Sequence, residues 1–281
     1  MSTFINDEVD DGNIIVCGSD SEEFLETFAE HFDSESILAV DCEGVNLGRT
    51  GTIELVQVST PHMNVLFDVQ GVTKTSKIAL FLKKILGDPT KIKIMFDCRI
   101  DSDALYHHLG VTLDNVHDAQ VYDMINSNNT NRPNLKKCML SYGIEITTRD
   151  SNVYATNFRY WATRPLTMEM KERATGDVNQ LFELRERQLE LMSESKQNIA
   201  STESQVSVSC MKDGLVASFN IKKSKIGLFI GRGGSNLRSL ECRFNCQFQT
   251  QKTDSPSLPT IVYAPNQQVL DRVIMYMHIN H

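Results

Sequence analysis

The stretch that most constrains the fold is residues 37–43, Ile-Leu-Ala-Val-Asp-Cys-Glu. Four apolar residues typical of a β-strand lead directly into two carboxylates, Asp41 and Glu43. Because side chains alternate between the two faces of a strand, both carboxylates are expected on the same face. Two acids at the end of a buried strand destabilise it unless they reach water or a divalent cation such as Mg²⁺ or Mn²⁺ neutralises them. The stretch by itself leaves both interpretations open.

The order of the surrounding patterns predicts an α/β fold with a mixed sheet. Strands are predicted at 13–17, 37–43, 52–59, 63–69 and 93–96, with a brief one at the start of 114–125. Helices are predicted at 19–32, 76–86, 101–109, 119–125, 135–142 and 167–192. Closely spaced strands joined by short turns favour antiparallel pairing, and the later strand–helix alternation places helices on both faces of the sheet.

The charge distribution divides the chain into two parts. The net charge of −8 combines −12 over residues 1–200 with +4 over residues 201–281. Residues 193–204 contain almost no apolar side chain and are typical of a linker. The predicted organisation is an acidic N-terminal tail (1–12), an α/β domain (13–192), a linker (193–205) and a basic domain (206–281) suited to a polyanion.

The composition favours an intracellular protein in the cytoplasm or nucleus. No stretch approaches the length of apolar sequence that spans a membrane, and the acidic N-terminus lacks the pattern of a secretory signal. The seven cysteines are scattered and form no Cys-x-x-Cys pair, which is typical of free thiols in a reducing compartment.

Two further acids extend the carboxylate pattern. Asp101 opens a predicted helix after strand 93–96, at the sheet edge where α/β proteins bind ligands. Asp177 lies within the predicted helix 167–192. Acids on separate strand ends and helices are what a two-metal site for phosphoryl transfer requires, because one ion activates water and the other stabilises the leaving oxygen.

Several motifs in residues 14–192 resemble the Asp-Glu-Asp-Asp 3′–5′ exonuclease superfamily of the ribonuclease D and Werner type. They are Leu-Ala-Val-Asp-Cys-Glu-Gly (38–44), Ile-Glu-Leu-Val-Gln-Val-Ser (53–59), Phe-Asp-Cys-Arg-Ile-Asp-Ser (96–102), Asp-Ala-Gln (118–120), and Trp161 with Arg-Pro-Leu-Thr (164–167). The likeness is strongest to the branch that contains Egalitarian and the exonuclease 3′–5′ domain-containing proteins. It implies a ribonuclease H-like fold.

The resemblance also implies four metal-binding catalytic acids, Asp41, Glu43, Asp101 and Asp177, which would hold two Mg²⁺ or Mn²⁺ ions. Asp97 and Asp103 are rivals for the third position. Asp97 is better explained as a helix N-cap, and Asp103 falls on a different helix face from Asp101.

One position departs from the resembled enzymes. They carry a Tyr four residues before the last Asp, or a His five residues before it, to orient or deprotonate the attacking water. Those positions hold Arg173 and Glu172 here. An arginine side chain does not act as a base, because its pKa stays above about 12. It is expected to modulate the site by contacting a phosphate or Asp177.

The basic C-terminal part contains Ile-Gly-Leu-Phe-Ile-Gly-Arg-Gly-Gly at 226–234, which resembles the Gly-x-x-Gly core of a type I KH domain. This resemblance implies a small α+β domain that binds single-stranded RNA through its glycine loop. The expected RNA-binding residues are Gly231, Arg232, Gly233, Gly234, Lys225 and Arg238.

The sequence therefore predicts a metal-dependent 3′–5′ exonuclease that acts on single-stranded RNA held by a KH module. Such an enzyme would serve RNA processing or small-RNA metabolism, with possible protein partners in an RNA-processing complex and no membrane association. The alternative is a catalytically weak or inactive adaptor that keeps the exonuclease fold as an RNA-binding platform. The four acids favour the enzyme, whereas Arg173 favours the adaptor.

Overall fold

A computed structural model describes residues 14–18, 25–145 and 157–280, without the side chains of Asp177 and Asn280. The proposed tail 1–12 and the predicted helix start at residues 19–24 lie outside these ranges. The chain forms two compact units, residues 1–208 and 209–281.

The first unit is a six-stranded mixed sheet with helices on both faces. Its strands are β1 (Ile14–Cys17), β2 (Ile37–Glu43), β3 (Leu55–Ser59), β4 (Asn64–Asp68), β5 (Ile92–Met95) and β6 (Val116–Asp118), in the spatial order β1-β4-β3-β2-β5-β6. Its helices are α1 (Leu25–Ser34), α2 (Lys77–Leu86), α3 (Arg99–Ala104), α4 (Ala119–Ser127), α5 (Leu135–Ser141), α6 (Met168–Asn179) and α7 (Leu181–Leu191). A π-helical turn, Leu105–Leu109, follows α3, and a 3₁₀ turn, Tyr160–Ala162, precedes α6.

The strand pairing matches the sequence prediction of antiparallel neighbours near β2. Strands β2, β3 and β4 are antiparallel in succession, whereas β1–β4, β2–β5 and β5–β6 are parallel. Because β2, β5 and β6 run in the same direction, their carboxyl ends meet at one edge of the sheet. Asp41, Glu43 and the start of α3 all lie at this edge.

Apolar side chains fill both faces of the sheet. On one face, Val40 and Val56 join a core with Phe32 and Leu82 of α1 and α2. The opposite face packs on α6 and α7, where Leu55 and Leu66 meet Met170 and Ala174, and Ala39 meets Val178. The predicted long helix 167–192 is divided at Gln180 into α6 and α7.

The predicted linker 193–205 is wrong, because this stretch begins helix α8 (Glu194–Lys212). Ala200, Ser204 and Val208 are buried at helical spacing. The Asp118 amide donates to Ser204 Oγ at 3.2 Å, and the Ser102 hydroxyl donates to the Val208 carbonyl at 2.7 Å. Because small or polar residues, Ala200 and Ser204, occupy two of these buried positions, the sequence shows no apolar stripe here, although one face of the helix is buried. Residues 206–212, predicted as strand, are helical for the same reason.

The second unit is a three-stranded antiparallel sheet with three helices. Its elements are β7 (Leu215–Lys222), α9 (Lys223–Ile230), a 3₁₀ turn (Arg232–Gly234), α10 (Ser235–Phe244), β8 (Gln247–Thr250), β9 (Ser257–Ala264) and α11 (Gln267–Asn280). The strand order is β7-β9-β8. Phe229, Phe248, Val262 and Val273 belong to its own core. The order strand–helix–helix–strand–strand–helix is the one predicted from the sequence.

No helix among the described residues is long and apolar enough to cross a membrane.

A buried histidine makes the stability of the first unit dependent on pH. His117 Nε2 lies 3.0 Å from Gln188 Oε1, and its ring stacks on Tyr122 at 3.6 Å. Burial lowers the pKa of His117 to about 3. Between pH 7 and pH 5 the unfolded chain therefore binds a proton that the folded chain does not, and this linkage should lower the unfolding free energy by about 2 kcal/mol. Chemical denaturation at pH 7 and pH 5 measures the effect. The drop in unfolding free energy between these pH values should be smaller by about 2 kcal/mol in His117→Gln than in the wild type. It should equal the wild-type drop in the exposed control His62→Gln.

Candidate metal and nucleic-acid sites

The strand β2 places Asp41 and Glu43 on one face of the sheet, as the alternation predicts. Both side chains are half-buried, and the residue between them, Cys42, is buried in the core on the opposite face. Asp41 lies directly opposite Gln57 of β3, and Glu43 lies opposite Leu55. Since Leu55 packs on Met170 and Ala174, the face with the two acids is the face that α6 covers.

Asp101 lies close enough to Asp41 for the two charges to interact. It is 5% exposed, on helix α3. Burial raises the pKa of Asp101 well above its ordinary value, and the neighbouring charges of Asp41, Asp97 and Asp118 raise it further. Burial, followed by the charges of Asp101, Asp41 and Glu43, likewise raises the pKa of the Cys42 thiol. The three acids thus share one electrostatic environment in which a cation would be stabilised.

The fourth acid, Asp177, lies on α6, which packs on the same face of the sheet. The buried residues on either side of it in the helix, Ala174 and Val178, contact the strands. No three Asp, Glu, His or Cys side chains among those described converge tightly enough to hold an ion, and the Asp177 side chain is outside that set. The four-acid metal site stays a prediction.

Asp103 is held by a different partner. Its carboxylate is fully buried and accepts hydrogen bonds from the Arg49 backbone amide (2.6 Å) and from Arg49 Nε (2.8 Å), with Arg49 Nη2 at 2.7 Å. This pair ties the loop after Glu43 to the helix that carries Asp101. Arg49 carries no sequence signal of this role, because its partner is 54 residues away.

The prediction that Asp97 is a helix N-cap is wrong. Helix α3 begins at Arg99 with Cys98 as the capping residue, and Asp97 has a left-handed φ of 59°. Its carboxylate pairs with Arg99, with Nη2 and Oδ2 2.8 Å apart. Burial alone would raise the pKa of Asp97, but the hydrogen bonds and charge of Arg99 lower it. Asp97 thereby stays charged, in an ion pair with Arg99, beside Asp101.

Asp118, a sequence landmark without a predicted role, supports this edge of the sheet. Its carboxylate accepts hydrogen bonds from the backbone amides of Asp97 (2.9 Å), Cys98 (3.0 Å) and Gln120 (3.0 Å). The same carboxylate therefore caps the N-terminus of α4 and also holds the turn before α3. The Asp-Ala-Gln pattern at a helix start is the signal that could have indicated this function.

Arg173 is buried on the covered side of α6. The side chain is 8% exposed, and Nη2 donates to Glu169 Oε1 at 3.0 Å. Tyr160 lies beside it: burial raises the pKa of Tyr160, as do the charges of Glu169 and Glu43, whereas the nearby Arg173 lowers it. The expected contact with Asp177 lies outside the described side chains. Arg173 thus belongs to a network with Glu169 and Tyr160 next to Glu43.

The glycine loop of the second unit, residues 231–234, has backbone conformations that favour glycine. Gly231 and Gly234 have φ values of 75° and 81°. A Cβ at Gly231 would lie 2.8 Å from the backbone nitrogen of Asn236, and one at Gly234 would lie 2.8 Å from Arg238 Nη1. Gly231 therefore requires glycine, because the clash there is with backbone, whereas at Gly234 it is the left-handed φ that favours glycine.

The basic residues around this loop have two different roles. Arg232 and Lys225 are exposed. Arg238 instead folds back and donates from Nη1 to the Gly233 carbonyl at 2.7 Å, while Asn236 Nδ2 donates to the Leu228 carbonyl at 2.7 Å. Arg238, predicted to bind RNA, holds the loop in shape in this structure.

A six-stranded mixed sheet flanked by helices is an architecture that 3′–5′ exonucleases such as RNase D share. The sequence comparison agrees with this class, because a family described as 3′–5′ exonuclease matches residues 16–192. The chain belongs to the 3′–5′ exonuclease family.

Among individual proteins, the chain is similar to the piRNA biogenesis proteins EXD1. It is 32% identical to the Bombyx mori protein over 164 residues, which are 56% of this chain and 51% of that protein. It is 37% identical to the Mus musculus protein over 95 residues, 34% of this chain and 16% of that protein. The chain therefore spans about half, or less, of the length of these relatives.

The fold is similar to that of several solved structures. Trypanosoma brucei RNase D in complex with RNA U12 has a TM-score of 0.60 and 24% identity, with 71% of each chain covered. Brucella melitensis NrnC bound to pGG has a TM-score of 0.56 and 16% identity, covering 71% of this chain and 91% of that chain. At these identities the likeness shows the fold.

Proposed function

We propose that the protein is a metal-dependent 3′–5′ exonuclease with slow turnover, acting on single-stranded RNA that a KH module holds. The observation that carries this proposal is the buried carboxyl of Asp101 beside Asp41, at the edge where three parallel strands end. A cation bound in this position would stabilise the charged form of the Asp101 carboxyl. Membership in the exonuclease family and the RNA bound to the RNase D relative support the reaction class and the substrate.

The residues suit the ion that the family implies. Asp41, Glu43, Asp101 and Asp177 would provide carboxylate oxygens, the ligands that Mg²⁺ and Mn²⁺ prefer. Bound there, the two ions would activate water and stabilise the leaving oxygen. The chain itself holds the acids in place: Arg49 fixes the loop after Glu43, and Asp118 fixes the turn before Asp101.

The second unit would supply the grip on the substrate. Its element order, its sheet order β7-β9-β8 and the two left-handed glycines of the loop support the KH interpretation. The N-terminus of α10 and the exposed Arg232 would face the sugar-phosphate backbone, since backbone amides and a cation both attract phosphate.

Arg173 favours the second candidate, a non-catalytic RNA-binding adaptor. Its guanidinium pairs with Glu169 in the position where a water-orienting side chain is expected. Such an adaptor would keep the fold and the RNA grip without hydrolysis. The similarity to piRNA biogenesis proteins suits either function in small-RNA metabolism.

The test is a cleavage assay of the full chain on 3′-labelled single-stranded RNA, with Mn²⁺ and with chelator. The exonuclease releases labelled mononucleotide slowly, and only with Mn²⁺. An adaptor binds the same RNA and leaves its 3′ end intact under both conditions.

Metal binding should also be measurable without catalysis. Mn²⁺ at millimolar concentration should raise the melting temperature of the wild type by several degrees, because an ion that binds the folded state stabilises it by about 2.7 kcal/mol at 100 times its Kd. Asp41→Asn should abolish the rise by removing a ligand. The control Asp114→Asn is the same substitution at an exposed residue before β6, and it should retain the rise. A wild-type melting temperature that does not change on addition of Mn²⁺ would contradict the shared metal site.

A further inference from the structure

Gln57 is a buried amide whose hydrogen-bonding groups are unused among the described residues. It lies in the middle of β3 between Val56 and Val58, and it is fully buried. Neither Nε2 nor Oε1 has a hydrogen-bond partner in the described part of the chain. Because a buried amide without partners destabilises a fold, its presence between two buried valines needs a compensating function.

The strand register places this amide beside the acidic site. Gln57 is directly opposite Asp41 on β2 and opposite Leu66 on β4. Directly opposed residues of antiparallel strands point to the same face, with Cβ atoms about 4.5–5.5 Å apart. That face is covered by α6, since Leu66 packs on Met170 and Ala174. The amide is therefore enclosed between sheet and helix, next to Asp41 and away from bulk water.

We propose that Gln57 is a positioning residue for the metal site, which orients the Asp41 carboxylate when the ion is bound. Nε2 would donate to a carboxylate oxygen of Asp41, and Oε1 would accept from a water molecule on the ion. This inference rests on the proposed function, because it requires a metal at Asp41. A neutral amide is the side chain that suits this place. A cation there would compete with the metal, and another carboxylate would add to the repulsion between Asp41 and Asp101.

The proposal makes two opposite predictions for one substitution. Gln57→Leu removes the unpartnered amide and keeps the volume, so the metal-free protein should melt at a higher temperature than the wild type. The same change should weaken Mn²⁺ binding by 10-fold or more, since residues that orient metal ligands typically contribute about 10–100-fold to affinity. Gln57→Met, with an unbranched chain, should give the same two shifts if leucine packs poorly under α6.

The chain offers a matched control in Gln188. This glutamine is also fully buried in the first unit, but its amide is satisfied: Oε1 lies 3.0 Å from His117 Nε2, and Nε2 donates to the Ala119 carbonyl at 2.7 Å. Gln188→Leu should therefore lower the melting temperature of the metal-free protein and leave Mn²⁺ affinity unchanged.

The measurement is a titration of the full chain with Mn²⁺, followed by the electron paramagnetic resonance signal of the free ion, together with melting of the metal-free proteins. Unchanged Mn²⁺ affinity in both Gln57 variants, beside a wild type that binds the ion, would overturn the role of Gln57 alone. A lower metal-free melting temperature in both variants would overturn it as well. A wild type that binds no Mn²⁺ would overturn the metal site and, with it, this inference.

Discussion

Arg173→Tyr should raise the rate of RNA cleavage by about 10²-fold, the contribution typical of one positioned catalytic group. Arg173 lies one helical turn before Asp177 and so shares its side of α6. A tyrosine hydroxyl there could orient the attacking water, which a permanently protonated guanidinium does not deprotonate. The fold should tolerate the change. The substitution removes the ion pair with Glu169, but that partner is 62% exposed, so losing the pair should cost little stability.

Single-turnover cleavage of 3′-labelled RNA with Mn²⁺ measures this effect. The control Glu186→Tyr places the same side chain on an exposed position of the next helix, α7, and the rate should stay at the wild-type value. A rate that also stays constant in Arg173→Tyr would favour the adaptor, whose site geometry has changed beyond this one residue. A fast wild type that Arg173→Tyr slows would show that Arg173 takes part in the reaction.

The double substitution Arg232→Asp with Gly233→Asp should weaken binding of single-stranded RNA by at least about 10-fold, because it places negative charge against phosphate. Its effect on folding should be small. A Cβ at Gly233 has no atom within 4 Å, and its φ of 57° is a value that aspartate tolerates better than most residues. Fluorescence anisotropy of a labelled single-stranded RNA gives the affinity.

A charge-matched control separates the loop from general electrostatics. Gln268→Asp with Arg272→Asp makes the same change of net charge on exposed positions of α11, and affinity should change far less. Equal losses in both variants would mean that net charge, and not the glycine loop, determines binding. Wild-type affinity in the loop variant would contradict the KH interpretation of the second unit.

The chain's own pattern was sufficient for much of the architecture. The apolar run of β2 and its alternation determine that Asp41 and Glu43 share a face, since this follows from strand geometry alone. The glycines at 231 and 234 likewise indicated the loop, because glycine is the residue that most readily adopts the positive φ found at both positions. These features depend on residues close together in the chain, where a local pattern carries the physical cause.

Tertiary contacts determined which acids pair with which partners and which polar residues are buried, because local sequence pattern does not specify either. In the sequence, Asp97, Asp101 and Asp103 are three aspartates with no local feature that assigns the metal site to one of them. Their long-range partners differ: Arg49, 54 residues away, binds Asp103, whereas Asp101 interacts with the charge of Asp41. Residues 194–205 are polar in sequence and helical in the fold, because Ala200 and Ser204 are buried in the first unit. Gln57 gains its significance only from its position across from Asp41 under a helix. Burial and partner choice depend on residues distant in the chain, so only the folded structure specifies them.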